Sequence, residues 1–418
     1  MKLATSIRLA LSLMAIAGLF LLVSIRSFYD VHIASIIFGT GLLSLYFILL
    51  RTRISIREQL GAFFLTAALV IFDVRFLGYR FTWPAAMTLL GFASLAILFF
   101  RFIWAPPSER RMASYVLLPA LFIFFSDWCA GHLLHWTEIA QPSVLDLYLY
   151  SFEASTRVQL PFLVGQMFQR SHALGYVCIE VYLGLLIFIS LTYIGCLLRN
   201  VRTALSALTA FLLTAPVGIL FYNFFPALGP RFIFGSGFPW HPLAAEQARR
   251  LVLQPIAMAG ARNAMPSLHA TCVFLVFWYA RGLSRTERAV AAICVLLTLL
   301  ATIGTGEHYV IDLVVAVPFT AMIIALTNLL VGNDRSRQYV PLGIGLGVVT
   351  AWLLALRYAT NFFWQSPVIP WLAILATLAI SYLALKRTEN PACRPLTSAL
   401  HGDPLSTPLP VTGSSIST

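Results

Sequence analysis

HYVIDLVVAVPFTAMIIALTNLLV, residues 308–331, is the stretch that decides the fold. His308 and Asp312 stand at its start, and from there to Val331 no further charged side chain appears. About 20 mostly apolar residues suffice for a helix to cross the hydrocarbon core of a bilayer. The stretch therefore reads as a membrane span with a histidine and a carboxylate at one end. Ionisable groups in such a place are costly to bury and are candidates for function on that ground.

Similar runs recur on both sides of it. The chain is 59% hydrophobic and 11% charged, with a mean hydropathy of +0.85. A soluble domain has about a quarter of its residues charged. We read an all-α polytopic membrane helical bundle of about twelve transmembrane helices. Their approximate limits are 7–25, 31–50, 60–77, 84–103, 113–130, 174–198, 203–222, 266–281, 287–303, 308–331, 340–357 and 368–385. Lysine and arginine concentrate on cytoplasmic loops. Alternating the spans gathers 18 of the 28 on one side: Lys2, Arg8, Arg51, Arg53, Arg57, Arg101, Arg110, Arg111, Arg199, Arg202, Arg281, Arg285, Arg288, Arg335, Arg337, Lys386, Arg387 and Arg394. That side is then cytoplasmic and holds both termini. His269 and His308, at the starts of the eighth and tenth spans, share the opposite, extracytoplasmic face.

The net charge of +12 is on this reading an orientation signal, with basic loops also able to meet anionic headgroups. Nothing points to a nucleic-acid partner. The charged N-terminus is followed by a long apolar run without a small-residue cleavage site and reads as a retained first helix. The expected location is a plasma membrane, the inner membrane of a bacterium. Residues 1–126 hold N-terminal spans that carry no chemical reading beyond Asp73 and Arg75. Residues 127–331 hold the catalytic core with two long extracytoplasmic segments, 127–173 and 223–265, and residues 332–385 a C-terminal helix pair. Residues 386–418, with Pro, Ser and Thr but few apolar side chains, read as a disordered cytoplasmic tail. Val144–Gln159 mixes apolar side chains with Asp146, Glu153 and Arg157, as a helix lying in the membrane interface does. Cysteines 129, 178, 196, 272, 294 and 393 show no metal-binding spacing and read as packing residues.

Asp312 follows His308 by four residues, which puts both on one face of a helix. A carboxylate there fixes the imidazole tautomer and leaves the other nitrogen as a base or nucleophile. A second segment, Asn263-Ala264-Met265-Pro266-Ser267-Leu268-His269, opens the eighth span. Pro266 suits a first helical turn. Ser267 and His269 then fall where free amides and the helix dipole attract an anion such as phosphate. Arg231 and Arg262, on the same face, add charge-assisted contacts to phosphate oxygens. Two histidines around an anion site fit phosphoryl transfer, one attacking phosphorus and the other protonating the leaving oxygen.

These residues resemble the type 2 phosphatidic acid phosphatase superfamily and, within it, the branch of inositol phosphorylceramide synthase and inositolphosphotransferase-like membrane enzymes. The resemblance runs from about Gly175 to Leu330. It rests on Gly229-Pro230-Arg231, Ala264-Met265-Pro266-Ser267-Leu268-His269 and His308-Tyr309-Val310-Ile311-Asp312. It implies a six-helix core, His308 as the nucleophile of a phosphohistidine intermediate, Asp312 as its orienting carboxylate, His269 as acid and base, and Arg231 among the phosphate contacts. It implies no metal and no organic cofactor.

Three positions depart from the phosphatase pattern. Phe224 replaces the lysine seven residues before the arginine, Ala301-Thr302 replaces the Ser-Arg before the last histidine, and Leu268 replaces a glycine. The loss of two cations fits a transferase that acts on a lipid phosphate or phosphodiester and hands the group to an alcohol such as inositol or a sugar. The alternatives are a divergent lipid phosphatase and a non-catalytic transporter or scaffold. Transporters place polar sites at mid-membrane between related halves, whereas here they gather at helix starts on one face. His132 and His135, with Asp127, sit beside Trp128 and Trp136 and read as interfacial rather than as metal ligands. Glu180 and His172 read as a structural pairing, and Arg249 and Arg250 as solvated or headgroup-facing. Membrane lipids are the expected partners.

Overall fold

The computed structural model describes residues 2–24, 32–52, 54–78, 80–331 and 335–388, with side chains over the same ranges except 2–4, 19–24, 32–41, 84, 108 and 118–131. The expected tail lies outside the described residues from position 389 onward, and so do the side chains of Asp127, Trp128, Cys129 and Cys393. The chain up to Thr388 is one compact unit.

The N-terminal group is α1 (Lys2–Ser24), α2 (His32–Arg51), α3 (Ile56–Phe76), α4 (Trp83–Trp104) and α5 (Pro107–Ala140). Local sequence sets several of these limits. Ser55 and Glu58 form a reciprocal capping box at the start of α3, and Thr82 caps α4, satisfying amides that a first turn leaves without partners. After β1 (Ser143–Val144) come α6 (Asp146–Ser155), α7 (Leu160–Arg170), α8 (His172–Leu183), α9 (Leu185–Leu197) and α10 (Val201–Phe224). The long segment that follows holds α11 (Pro230–Phe234), α12 (Ala245–Arg249) and β2 (Ile256–Ala257). The chain closes with α13 (Leu268–Ala280), α14 (Arg285–Gly304), α15 (Val310–Val331), α16 (Arg335–Tyr358), α17 (Thr360–Phe363) and α18 (Val368–Thr388).

Among the described residues, 7 helices are long and apolar enough to cross a membrane alone: α3, α4, α10, α14, α15, α16 and α18. The number is 8 if α8 and α9, which meet at 53°, count as one span. The expected sixth span, 174–198, is therefore a bent pair, broken at Gly184. The expected eighth span, 266–281, is shorter than the sequence reading placed it. Its helix begins only at Leu268, where Ser267 caps it, and α13 has 13 residues, about 20 Å at about 1.5 Å per residue.

α15 is the axis of the bundle. Apolar on every side, it is buried along most of its length among α10, α13, α16 and α18, as a helix of that composition must be. The N-terminal group joins the core where α2 packs on α4, α5 and α9. Arg51 reaches Glu287 in the first turn of α14 at 2.6 Å, and Arg199 bonds the Gly282 carbonyl and meets Glu287 at 3.5 Å. Arg51, Arg199 and Gly282, which the alternation of spans puts on one side, thus meet at one end of the bundle. At the other end the starts of α13 and α15 come together, with the Ser267 amide donating to the Asp312 carbonyl at 3.3 Å.

α6 departs from the interfacial helix expected of Val144–Gln159. Asp146 and every residue from Leu149 to Ser155 are buried, among α11, α12, α15, α16 and α17. Phe152 stands edge-on to Trp352 and Phe363 with centroids 5.3 and 4.8 Å away, and Trp364 Nε1 donates to Ser151 Oγ at 2.9 Å. A helix mixing apolar and charged side chains satisfies either a headgroup layer or an interior in which main-chain amides meet its carboxylates. This one takes the second course. β1 and β2 pair antiparallel, Ser143 with Ala257 and Val144 with Ile256, tying together the two long segments.

Candidate active site

Three separated segments converge through the main chain before any functional side chain is involved. The amides of Asn263 and Ala264 both donate to the Ala227 carbonyl at 3.2 Å, and the Arg231 amide donates to the Gly306 carbonyl at 3.0 Å. Gly229 is at φ +127, with the space for a Cβ taken by the Glu307 carbonyl. Only glycine combines that conformation with that approach. The turn before α11, the turn before α13 and the turn before α15 are in this way a single assembly.

At its centre is His308, 1% exposed. Its Nδ1 lies 3.0 Å from the Ala264 carbonyl and 3.5 Å from Asp312 Oδ2, and its Nε2 lies 3.2 Å from Ser267 Oγ. Both neighbours of Nδ1 are acceptors, so that nitrogen carries the proton and Nε2 presents its lone pair, to which the Ser267 hydroxyl donates. Ser267 Oγ at the same time accepts from the Ala270 amide at 3.3 Å as the cap of α13. The spacing of four residues does bring His308 and Asp312 together. The shorter contact to Nδ1 is nevertheless the carbonyl of Ala264, because His308 precedes the first turn of α15 and does not share its regular helical geometry. Asp312 Oδ2 also accepts the Tyr309 amide at 2.8 Å, and Oδ1 has no hydrogen-bond partner among the described residues.

His269, one residue into α13, stacks on Tyr182 of α8 with ring centroids 4.2 Å apart and planes inclined by 28°. The Tyr182 hydroxyl is 3.2 Å from His269 Nδ1. The two rings are thus joined by a stack and by a hydroxyl within hydrogen-bond distance of the imidazole. The bend between α8 and α9 lies at Gly184, two residues beyond Tyr182. Arg231 Nη1 pairs with Glu307 Oε1 at 2.8 Å. Arg262 occupies a different setting from the one expected beside Arg231. Its side chain is fully buried, with Nε donating to the Gln141 carbonyl at 2.8 Å, Nη2 to that of Met258 at 2.7 Å, and Nη1 to that of Gly260. Its guanidinium is engaged in holding the long segment together.

Residues 147–326 match the PAP2 superfamily. The match runs from α6 into α15 and contains every residue of the converging segments described above, and it supports the superfamily for this part of the chain. No curated protein and no solved structure matches the chain. The PAP2 match and the long apolar helices together fit a membrane phosphatase-type protein.

Two carboxylates, Asp146 immediately before the matched residues and Glu153 among them, do work that the sequence alone did not assign. Asp146 is fully buried and accepts the amides of Leu228, at 3.0 Å, and Gly229, at 2.7 Å, so it fixes the turn that carries Arg231. Glu153, near the end of α6, accepts the Val310 amide at 3.0 Å and fixes the start of α15. Burial pushes the Asp146 carboxyl up to about 7 and that of Glu153 up to about 8, against the opposing pull of these amides. The available signal was the seven-residue spacing, which places both on one face of a helix. Of the departures from the phosphatase pattern, Phe224 is 70% exposed, and Thr302 is buried with its hydroxyl on the Leu299 carbonyl and its own carbonyl accepting the His308 amide at 3.2 Å. His135 is exposed and 3.8 Å from Glu138, while His172, Glu180, Arg249 and Arg250 are exposed. Among the described residues no group of three or more His, Cys, Asp or Glu is arranged to hold a metal ion.

Proposed function

We propose that the protein is an integral-membrane phosphotransferase, acting on a lipid phosphate or phosphodiester through a phosphohistidine at His308 and passing the group to an alcohol acceptor such as inositol or a sugar. The observation that carries this reading is the pair of acceptors at Nδ1 of His308, which leaves the Nε2 lone pair directed at the start of α13. In the first half-reaction Nε2 attacks phosphorus. A P–N bond forms, the bond from phosphorus to the leaving oxygen breaks, and that oxygen takes a proton from His269. In the second, the acceptor hydroxyl gives its proton to His269 while its oxygen attacks phosphorus. The new P–O bond forms as the P–N bond breaks, and both histidines regain their starting states. Asp312 and the Ala264 carbonyl stabilise the positive ring in between.

Arg231, Ser267 and the first amides of α13 receive the phosphoryl oxygens, with Arg262 supporting the loop behind them. Because His308 is covered, the Ser267 hydroxyl turns off Nε2 as substrate enters, a rearrangement common between free and loaded sites. The distribution of arginines supports an extracytoplasmic site with both termini cytoplasmic, in a plasma membrane of the bacterial inner-membrane kind. The test uses purified protein in vesicles with a labelled phospholipid, with and without inositol or sugar acceptors. From a phosphodiester donor whose headgroup alcohol leaves, a new phosphodiester lipid is expected, and from a lipid phosphate, whose lipid alcohol leaves, the phosphomonoester of the acceptor, each with acid-labile label on His308 after rapid quenching. Release of free phosphate under every acceptor would make the protein a divergent lipid phosphatase, and label on another residue would remove His308 from its role.

A further inference from the structure

Glu307 has no part in the transfer just described, yet it lies at its centre. It adjoins His308 in sequence, pairs with Arg231 at 2.8 Å, and with Arg231 stands within electrostatic reach of Tyr182, the ring stacked on His269. The pair is not a chance meeting of two long side chains. The Arg231 amide is bonded to the carbonyl of Gly306, and Gly229 lies directly against the carbonyl of Glu307, so both stems are fixed by the main chain. Glu307 is the inner partner, its side chain 16% exposed against 42% for Arg231. A phosphoryl group that approaches the outward-facing arginine therefore meets a cation already balanced by a carboxylate. The second arginine expected for phosphate, Arg262, is spent on main-chain carbonyls.

We propose that Glu307 is a charge filter, admitting singly charged phosphodiesters and discriminating against phosphomonoester dianions. The proposal rests on the phosphotransferase reading of the same site and narrows its donor class. A phosphomonoester carries about −1.5 to −2 charges near neutral pH, whereas a diester carries one. Repulsion from a fixed carboxylate grows in proportion to ligand charge, and a mostly buried carboxylate is screened by salt less than one in open solvent. Specificity obtained by placing a like charge against the wrong ligand is a general device.

The experiment compares phosphatidic acid with phosphatidylinositol as donors, presented to the full-length protein in phosphatidylcholine vesicles. The proteins are the wild type, Glu307→Gln, Glu307→Asp and, as a control, His308→Ala. The wild type is expected to prefer the diester by kcat/KM. Glu307→Gln is expected to raise the monoester-to-diester ratio about tenfold or more, by removing one unit of repulsion, while Glu307→Asp keeps the wild-type preference. A ratio unchanged in folded Glu307→Gln, or a wild type that prefers phosphatidic acid, overturns the filter. Turnover that survives in His308→Ala overturns the underlying reading instead. Should neither donor turn over, retention of labelled phosphatidic acid by the purified proteins in detergent decides. About tenfold tighter retention by Glu307→Gln supports the filter, and equal retention overturns it.

Discussion

The two ends of α14 use acidic side chains in opposite ways. At its start Glu287, 26% exposed, caps the helix with Ser284 and meets Arg51 and Arg199. Past its far end Asp146, Glu153 and Asp312 are buried, and they accept main-chain amides of Leu228, Gly229, Val310 and Tyr309. Water shares the load at the first end, and an exposed ion pair is worth about 0–1 kcal/mol. At the second end a carboxylate has given up hydration, a loss of several kcal/mol per ion, and recovers it only from donors whose positions are already fixed. A protein that maintains three such groups within one assembly is holding geometry there, and buried ionisable groups gathered in one place are candidates for function.

The sharpest way to break that contrast is at His308. His308→Ala is expected to lower kcat by about 10³-fold or more, the scale on which removal of a nucleophile or its base acts, with the protein still folded. Glu287→Gln is expected to leave kcat unchanged. Comparable losses in both, measured on vesicle-reconstituted protein, would mean that the two ends do not differ in role.

Next in size is the clamp of α6. Asp146→Ala leaves the amides of Leu228 and Gly229 without their acceptor, which is expected to destabilise the protein by about 2–4 kcal/mol and to lower activity by loosening the turn that carries Arg231. Asp146→Asn keeps an acceptor and is expected to lose less than half as much. The folded carboxyls of Asp146 and Glu153, near 7 and 8, lie above their ordinary values of 3.8 and 4.5. The folded state therefore holds protons that the unfolded state releases. The stabilisation is complete below about pH 4 and is lost as pH rises through 7 and 8. Denaturant titrations at pH 5 and pH 8.5 are expected to show lower stability at the higher pH, with a flatter difference in a Glu153→Gln variant. Stability that rises over this range would show the amides, not burial, to dominate.

A smaller effect is expected at Tyr182, where a stack of this kind is worth about 0.5–1.5 kcal/mol. Tyr182→Leu should reduce kcat by roughly threefold to tenfold and displace the pH–rate profile, because it removes the face that supports His269. Tyr182→Phe keeps the face and should stay near the wild type. A large loss in Tyr182→Phe would mean that the hydroxyl at Nδ1 matters more than the stack.

The contrast between the ends also explains what was legible in the sequence. His308, Asp312, Ser267 and His269 stood out because each opens an apolar run, and polar groups at such positions have few structural reasons to be there. Arg51 and Arg199 could be grouped on one side because charge on loops follows a rule of sidedness. The clamp residues were not legible as such. Asp146 and Glu153 lie in a segment whose composition is the same for a headgroup layer and for a buried helix, and only the folded chain shows which amides they meet. Arg262 was read by its charge, whereas its position was set by three carbonyls from residues 141, 258 and 260, a demand of the loop that no spacing records. Hydropathy likewise sees α8 and α9 as one run and cannot see the 53° bend between them at Gly184.

The smallest expected effect belongs to Arg51. Its partner Glu287 remains engaged with Ser284 and Arg199 when the guanidinium is removed, so Arg51→Ala deletes one exposed contact without stranding a buried charge. The side chains are 48% and 26% exposed, and the expected cost is below about 1 kcal/mol, shrinking further as salt is raised because solvent-facing charges are screened within about 10 Å at 0.1 M. Activity should not change. The measurement is a pair of denaturant titrations at low and high ionic strength, with turnover assayed on the same preparations. The arginine does sit where α2 of the N-terminal group meets α14 of the core, so it is also the contact most able to contradict the argument. A loss above about 2 kcal/mol that persists in high salt would mean that this end, too, fixes geometry, and that the N-terminal helices are held to the segment carrying His308 by charge rather than by the packing of α2 on α4, α5 and α9.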